Sequence, residues 1–150
     1  MQHNIQRLLR RPLVSVIART ALTFPFWGSG LAKLFDFEGG VAEMAHFGLT
    51  PPAVFNMATI LVQLGGSLLI IVNRLAWLGA GALGIFTGLT IFLVHSFWRM
   101  TEEPFRTIAF HTATEHVGII GGLIAISILA VRAPLGTERP EVTRAKGMTS

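Results

Sequence analysis

The sequence predicts an all-α fold, an integral membrane four-helix bundle in which neighbouring helices run antiparallel. Its composition indicates that lipid is the surrounding solvent, because 51% of the 150 residues are hydrophobic and only 13% are charged. Four apolar stretches are each long enough to cross a bilayer, which takes about 20 residues of helix. Most Lys and Arg residues lie between or outside these stretches. The stretches are Pro12–Phe35, Pro52–Val72, Leu75–Trp98 and Ile108–Val131.

A basic segment precedes the first predicted span. Residues 1–11 contain both arginines and apolar residues, which is compatible with either an amphipathic helix on the inner membrane surface or a disordered tail. In the first span, Pro25 is expected to kink the helix. Arg19 lies about 10 Å inside the same span, at 1.5 Å of rise per residue. Its charge and the length of the span argue against a cleavable signal peptide.

The connections between spans predict their order. A loop of mixed charge is expected between the first two spans, ending at Pro51 and Pro52. Asn73-Arg74 leaves so short a turn that the second and third spans form an antiparallel hairpin. The four-span region is therefore expected to cover residues 12–131. Residues 132–150, which mix Pro, Gly and charged residues, are expected to form a flexible cytoplasmic tail.

The basic residues are distributed unevenly between the two sides of this arrangement. One side holds three, Lys33, Arg99 and Arg106, and the other holds the remaining loop and terminal cations. The positive-inside rule then places both termini in the cytoplasm, in a multi-pass protein of the cell inner membrane. The same rule explains the net charge of +4 without nucleic acid, so the expected partner is the lipid bilayer. The cations on the cytoplasmic side are Arg7, Arg10, Arg11, Arg74, Arg132, Arg139, Arg144 and Lys146.

Glycines in the predicted spans are spaced as they are at contacts between membrane helices. The third span contains Gly84-x-x-x-Gly88 and the fourth contains Gly118-x-x-x-Gly122. Small residues let helix backbones approach closely where lipid provides no hydrophobic drive for association. The pattern fits either packing within one compact bundle or a homo-oligomer.

Three side chains inside the first two spans, together with His95 near the outer end of the third, are predicted to bind a cofactor, a quinone head group. The guanidinium of Arg19 and the amide of Gln63 would each contact a quinone oxygen, since the amide both donates and accepts. Trp27, beside Pro25, would line the pocket. Each has a structural alternative: Arg19 extending to the interface, Gln63 joining two helices, and Trp27 packing.

A second set of polar residues lies at the predicted outer ends of spans three and four. His111 and Glu115 share one helix face, being four residues apart, and His116 points about 100° away from Glu115. His111 and Glu115 predict a transition-metal site that His95, or alternatively His46, would complete, and the predicted set is His95, His111 and Glu115. Glu115 and His116 are also the predicted catalytic groups, taking protons from an oxidised quinol. The structural alternative is a hydrated interface in which Glu115 pairs with Arg99 or another cation.

Several segments together resemble the DoxX family. They are FWGSGLAKLFD from Phe26, FGLTPP from Phe47, QLGGSLLII from Gln63 and GIIGGLI from Gly118. The resemblance implies a four-helix membrane subunit, with relatives that include quinone-reducing membrane subunits. The family commonly carries Glu where this chain has Gln63, and Lys-Asn where it has Glu115-His116.

Two functions follow as expectations. The first is an integral membrane subunit of a quinone-linked oxidoreductase system, whose outer cluster handles protons, quinone or a metal. The chain has no cysteine, so a thiol or iron–sulfur electron donor would have to belong to a partner subunit. The alternative is a non-catalytic anchor or accessory subunit of a larger membrane complex.

Overall fold

The computed structural model describes residues 2–132, except for the side chain of Asn4. Within this range the chain is helical, with no strand. The predicted tail lies outside the described residues apart from Arg132, which ends the last helix. The helices are α1 (Gln2–Leu9), α2 (Pro12–Phe35), α3 (Phe37–His46), α4 (Pro52–Ile71), α5 (Ala76–Leu93) and α6 (Phe105–Arg132), with a 3₁₀ turn at Phe97–Arg99.

Three helical stretches in the described range are long and apolar enough to cross a membrane: Pro52–Ile71, Ala76–Arg99 and Phe105–Arg132. Helix α2 is 24 residues long and continues through Pro25, but it contains Arg19 and Lys33 and is not one of the three. Many large apolar side chains face outward on these helices, among them Ile85 and Phe92. Such a surface implies a lipid bilayer as the environment.

Helix α3 occupies the segment for which the sequence predicted a loop of mixed charge. Asp36 begins it, because its carboxylate accepts a hydrogen bond from the backbone N–H of Gly39 at 3.0 Å. Gly40 and Met44 are buried. The amide of Asn56 in α4 donates to the carbonyl of Phe37 at 3.2 Å, which attaches α3 to the start of α4.

The long helices pack in chain order, with α2 against α4, α4 against α5 and α5 against α6. Neighbouring helices run antiparallel: Arg19 near the start of α2 contacts Ile70 at the end of α4, and Ser29 contacts Gln63. Only a few contacts join α2 to α6. The central cluster comprises Phe26, Ile70, Ala80, Leu83 and Leu123.

Some of the predicted glycine contacts are made within the chain and others are not. A Cβ atom on Gly79 would lie 2.6 Å from the carbonyl oxygen of Gly66, so α4 and α5 approach closely there. Gly122 similarly approaches Leu22 on α2. By contrast, a Cβ on Gly84 or Gly118 would meet no described atom within 4 Å. The motif glycines of α5 therefore make no close helix contact, and Gly84 lines a small groove between α5 and α6.

Candidate functional site

A cavity of about 510 Å³ lies where α2 and α5 end and α4 and α6 begin, beside α3. All five of these helices contribute to its wall, which is mostly apolar. Phe26, Met44, Phe55 and Phe86 supply much of this apolar surface. Besides three threonines, polar side chains occur on the wall as three pairs: Gln63 with Ser29, His95 with His116, and Lys33 with Glu43.

Gln63 lies on α4 where that helix faces α2. Its amide nitrogen donates to the hydroxyl of Ser29 at 3.3 Å. The amide oxygen is buried and has no hydrogen-bond partner among the described residues. Gln63 as a whole is 5% exposed, so water reaches this oxygen poorly. A buried acceptor without a donor costs about 1–3 kcal/mol, which a ligand hydroxyl in the cavity would recover.

The imidazoles of His95 and His116 meet at another part of the wall. Their ring centroids are 5.0 Å apart and the ring planes are 74° apart. His95 follows the end of α5, and His116 lies in α6. The Nδ1 atom of His116 is buried and, within residues 2–132, makes no hydrogen bond of full geometry, although the backbone of Thr112, one turn earlier, interacts with this imidazole. His116 is thus a second wall residue that holds a buried polar atom.

The third polar group is an ion pair between α2 and α3. The ammonium of Lys33 donates to the carboxylate of Glu43, which joins the end of α2 to α3. The Lys33 side chain is only 13% exposed, whereas that of Glu43 is 46% exposed. The pair therefore neutralises a largely buried cation at the cavity wall.

Arg19 and Trp27, two of the predicted cofactor-binding residues, do not line this cavity. The guanidinium of Arg19 donates to the carbonyl oxygen of Ile70 at 3.2 Å, where α4 ends and its last carbonyls lack partners within the helix. The indole N–H of Trp27 donates to the carbonyl of Thr20 at 3.1 Å. Both side chains thus have a hydrogen bond within the fold.

His111 and Glu115 are exposed on α6 and do not line the cavity. Among the residues described, no group of three or more His, Asp or Glu side chains could hold a metal ion, so the predicted trio is not assembled. The helical periodicity explains the difference. His116 points to another face than Glu115, and it is His116 that meets His95.

Sequence reasoning missed Ser29 and the Lys33–Glu43 pair as parts of the site. Glu43 reaches Lys33 only because residues 37–46 form a helix, which was not predicted. A signal for that helix was present in Asp36, a good N-cap residue, followed by Gly40 and Met44 at helical spacing. Ser29 shared no local pattern with Gln63, which is 34 residues away in sequence.

Comparison with known proteins supports the resemblance seen in the sequence. No solved structure matches the chain significantly. The inner membrane protein YphA of Escherichia coli (strain K12) is 28% identical over 93 residues, which cover 62% of this chain and 66% of YphA. This match spans just under two thirds of YphA. The sequence model of the DoxX family matches residues 14–96, more than half of the chain, so this protein belongs to the DoxX family.

Proposed function

We propose that this DoxX-family protein is an inner-membrane subunit of a quinone-linked oxidoreductase system, and that the cavity binds the quinone head group. The observation that carries the proposal is that two residues of the mostly apolar wall, Gln63 and His116, each hold a buried polar atom without a full hydrogen bond, Oε1 and Nδ1 respectively. Ligand sites typically combine such walls with a few polar groups, in volumes of about 300–1,000 Å³. A flat ring with two oxygens suits this combination.

The unpartnered atoms favour the reduced, hydroxylated form of the ligand. The amide oxygen of Gln63 only accepts hydrogen bonds, so it suits a quinol hydroxyl better than a quinone carbonyl. An imidazole accepts or donates according to its protonation, and His116 can hold a proton released at its Nδ1 atom. A quinone, when bound, supplies the capacity to accept and release two electrons. Glu115, next to His116 but outside the cavity, would exchange protons between the imidazole and water.

We further propose that α2 is a fourth membrane span, so that the four long helices form a bundle with both termini in the cytoplasm. Three arginines flank the start of α2, and Arg74 lies in the turn between α4 and α5, at the same end of the molecule. The buried polar groups of α2 find partners on α4, which makes it tolerable in lipid. The cavity would then lie toward the outer surface. The name of YphA supports an inner-membrane location.

The experiment is a quinol-binding titration of the full chain in lipid nanodiscs, with a short-chain quinol as the probe and tryptophan quenching as the signal. Gln63→Leu and His116→Gln are each expected to raise Kd by about 5- to 150-fold, since each loses one buried hydrogen bond worth about 1–3 kcal/mol. His111→Gln is the matched control, because His111 lies on the same helix but is exposed. Unchanged Kd in both cavity variants would refute the site.

One observation favours the second candidate, an accessory subunit. Gly118 is exposed with open space around it, so another membrane helix can approach closely there, from a partner subunit or a second copy. Native mass spectrometry after extraction in a mild detergent distinguishes the two functions. A stoichiometric partner without quinone on this chain would favour the accessory role, and bound quinone would favour the redox role.

A further inference from the structure

We propose that His95 and His116 form a two-histidine binding site for a divalent transition-metal ion such as Zn²⁺. The site shares His116 with the proposed quinol site, but its test requires no quinol. Two imidazoles bound to one tetrahedral ion at Zn–N distances of about 2.0–2.1 Å have ring centroids roughly 5 Å apart. The two rings lie at 5.0 Å in this structure. The spacing of the two rings therefore fits one ion bound by both.

The imidazole of His116 is not committed to another partner in a way that would oppose metal binding. The Nδ1 atom of His116 makes no hydrogen bond of full geometry and interacts only with the backbone of Thr112, one turn earlier in the same helix, among the described residues. An imidazole nitrogen that is buried without a full hydrogen bond gains from coordination. Imidazole is also a preferred ligand of zinc and its neighbours in the first transition row.

The site differs from the trio that the sequence predicted, because His116 replaces His111 and Glu115. No third His, Asp or Glu among residues 2–132 completes the set. The remaining coordination positions face the cavity, where water or an oxygen of a bound molecule would fill them. Open positions of this kind are typical of zinc sites that bind or polarise a substrate. The ion would also link the end of α5 to α6.

The experiment measures zinc bound to the full chain in phosphatidylcholine nanodiscs by equilibrium dialysis and elemental analysis. The purification tag contains no histidine, and chelator removes metal beforehand. We expect one Zn²⁺ per chain, with Kd raised at least tenfold in both His95→Gln and His116→Gln. His111→Gln, His46→Gln and His3→Gln are the matched controls, because these histidines lie outside the cavity wall, and they are expected to bind like the wild type.

A second measurement is X-ray absorption at the zinc edge of the wild-type protein, which does not depend on the folding of any variant. Two imidazole ligands per zinc at about 2.0–2.1 Å would support the site. One imidazole or none would overturn it, as would equal losses of zinc in His116→Gln and His111→Gln. Because the readout is zinc alone, failure of quinol binding would leave this result unchanged, and the two proposals can fail separately.

Discussion

Four buried side-chain atoms in residues 2–132 have no hydrogen-bond partner, and they differ in whether their residues line the cavity. Two of them, in Gln63 and His116, belong to residues of the cavity wall. The other two, Nε of Arg19 and Oδ1 of Asn56, belong to residues that do not line the cavity. The wall atoms therefore have more to gain from a ligand.

Residue type and depth within a span predicted part of this arrangement. Gln63, His95 and His116 were chosen because polar groups in apolar stretches are costly, and all three line the cavity. The same reasoning chose Arg19 and Trp27, which instead donate to backbone carbonyls. Which carbonyl a long side chain reaches depends on how the helices face each other. The facing of the helices cannot be read from the sequence alone.

At the residue scale, we expect Gly79→Ala to destabilise the protein by about 1–3 kcal/mol. The new Cβ would lie 2.6 Å from the carbonyl oxygen of Gly66, and backbone atoms cannot move aside without separating α4 from α5. Gly84→Ala on the same helix is the control. Its Cβ meets no described atom within 4 Å, so the free energy of unfolding should stay within about 1 kcal/mol of wild type. Reversible denaturant unfolding in mixed micelles measures both, and equal effects would contradict the close approach.

At the element scale, α3 is the part of the fold that the sequence did not predict. The segment is only ten residues long and contains two glycines and several charges, which also suits a loop. Its helix depends on contacts distant in sequence, with Asn56 on one side and Lys33 on the other. Local propensity was therefore insufficient. The long apolar stretches could be predicted because a run of about 20 mostly apolar residues indicates a membrane-spanning helix.

We expect Glu43→Gln to loosen α3 without unfolding the protein. The substitution removes the ion pair with Lys33, which contributes up to about 1 kcal/mol, so amide exchange in α3 should quicken by up to about fivefold. Glu38→Gln in the same helix is the control, because Glu38 is exposed and forms no ion pair among the described residues. Hydrogen exchange followed by mass spectrometry in nanodiscs reads both. Identical exchange in the two variants would show that the ion pair does not hold α3.

At the scale of the whole molecule, the apolar pattern predicted an all-helical membrane protein. The match to the DoxX family and the three helices long and apolar enough to cross a membrane confirm that prediction. The number of spans stays a prediction because α2 is less apolar than the others. Composition cannot decide whether such a helix crosses the bilayer, since its polar residues are stabilised by contacts with α4. The orientation likewise follows from charge distribution alone and has to be measured.

The absence of cysteine from the sequence makes the topology easy to test. Gln6→Cys, Ala45→Cys and Thr101→Cys each place one thiol at an exposed site, before α2, within α3 and before α6. In intact spheroplasts, a membrane-impermeant maleimide should label the second and third variants and should label Gln6→Cys only after lysis. Labelling of Gln6→Cys and Ala45→Cys from the same side would show that α2 does not cross the membrane.

The polar contacts between α2 and α4 have a consequence for how the protein is made. Arg19 contacts Ile70, and Ser29 contacts Gln63, so α2 leaves the ribosome before its partner helix α4, which is completed some 35 residues later. During synthesis, α2 would meet the insertion machinery with its guanidinium and hydroxyl still unpaired. We therefore expect α2 to stay beside the translocation channel until α4 arrives, and the two helices to enter the lipid together.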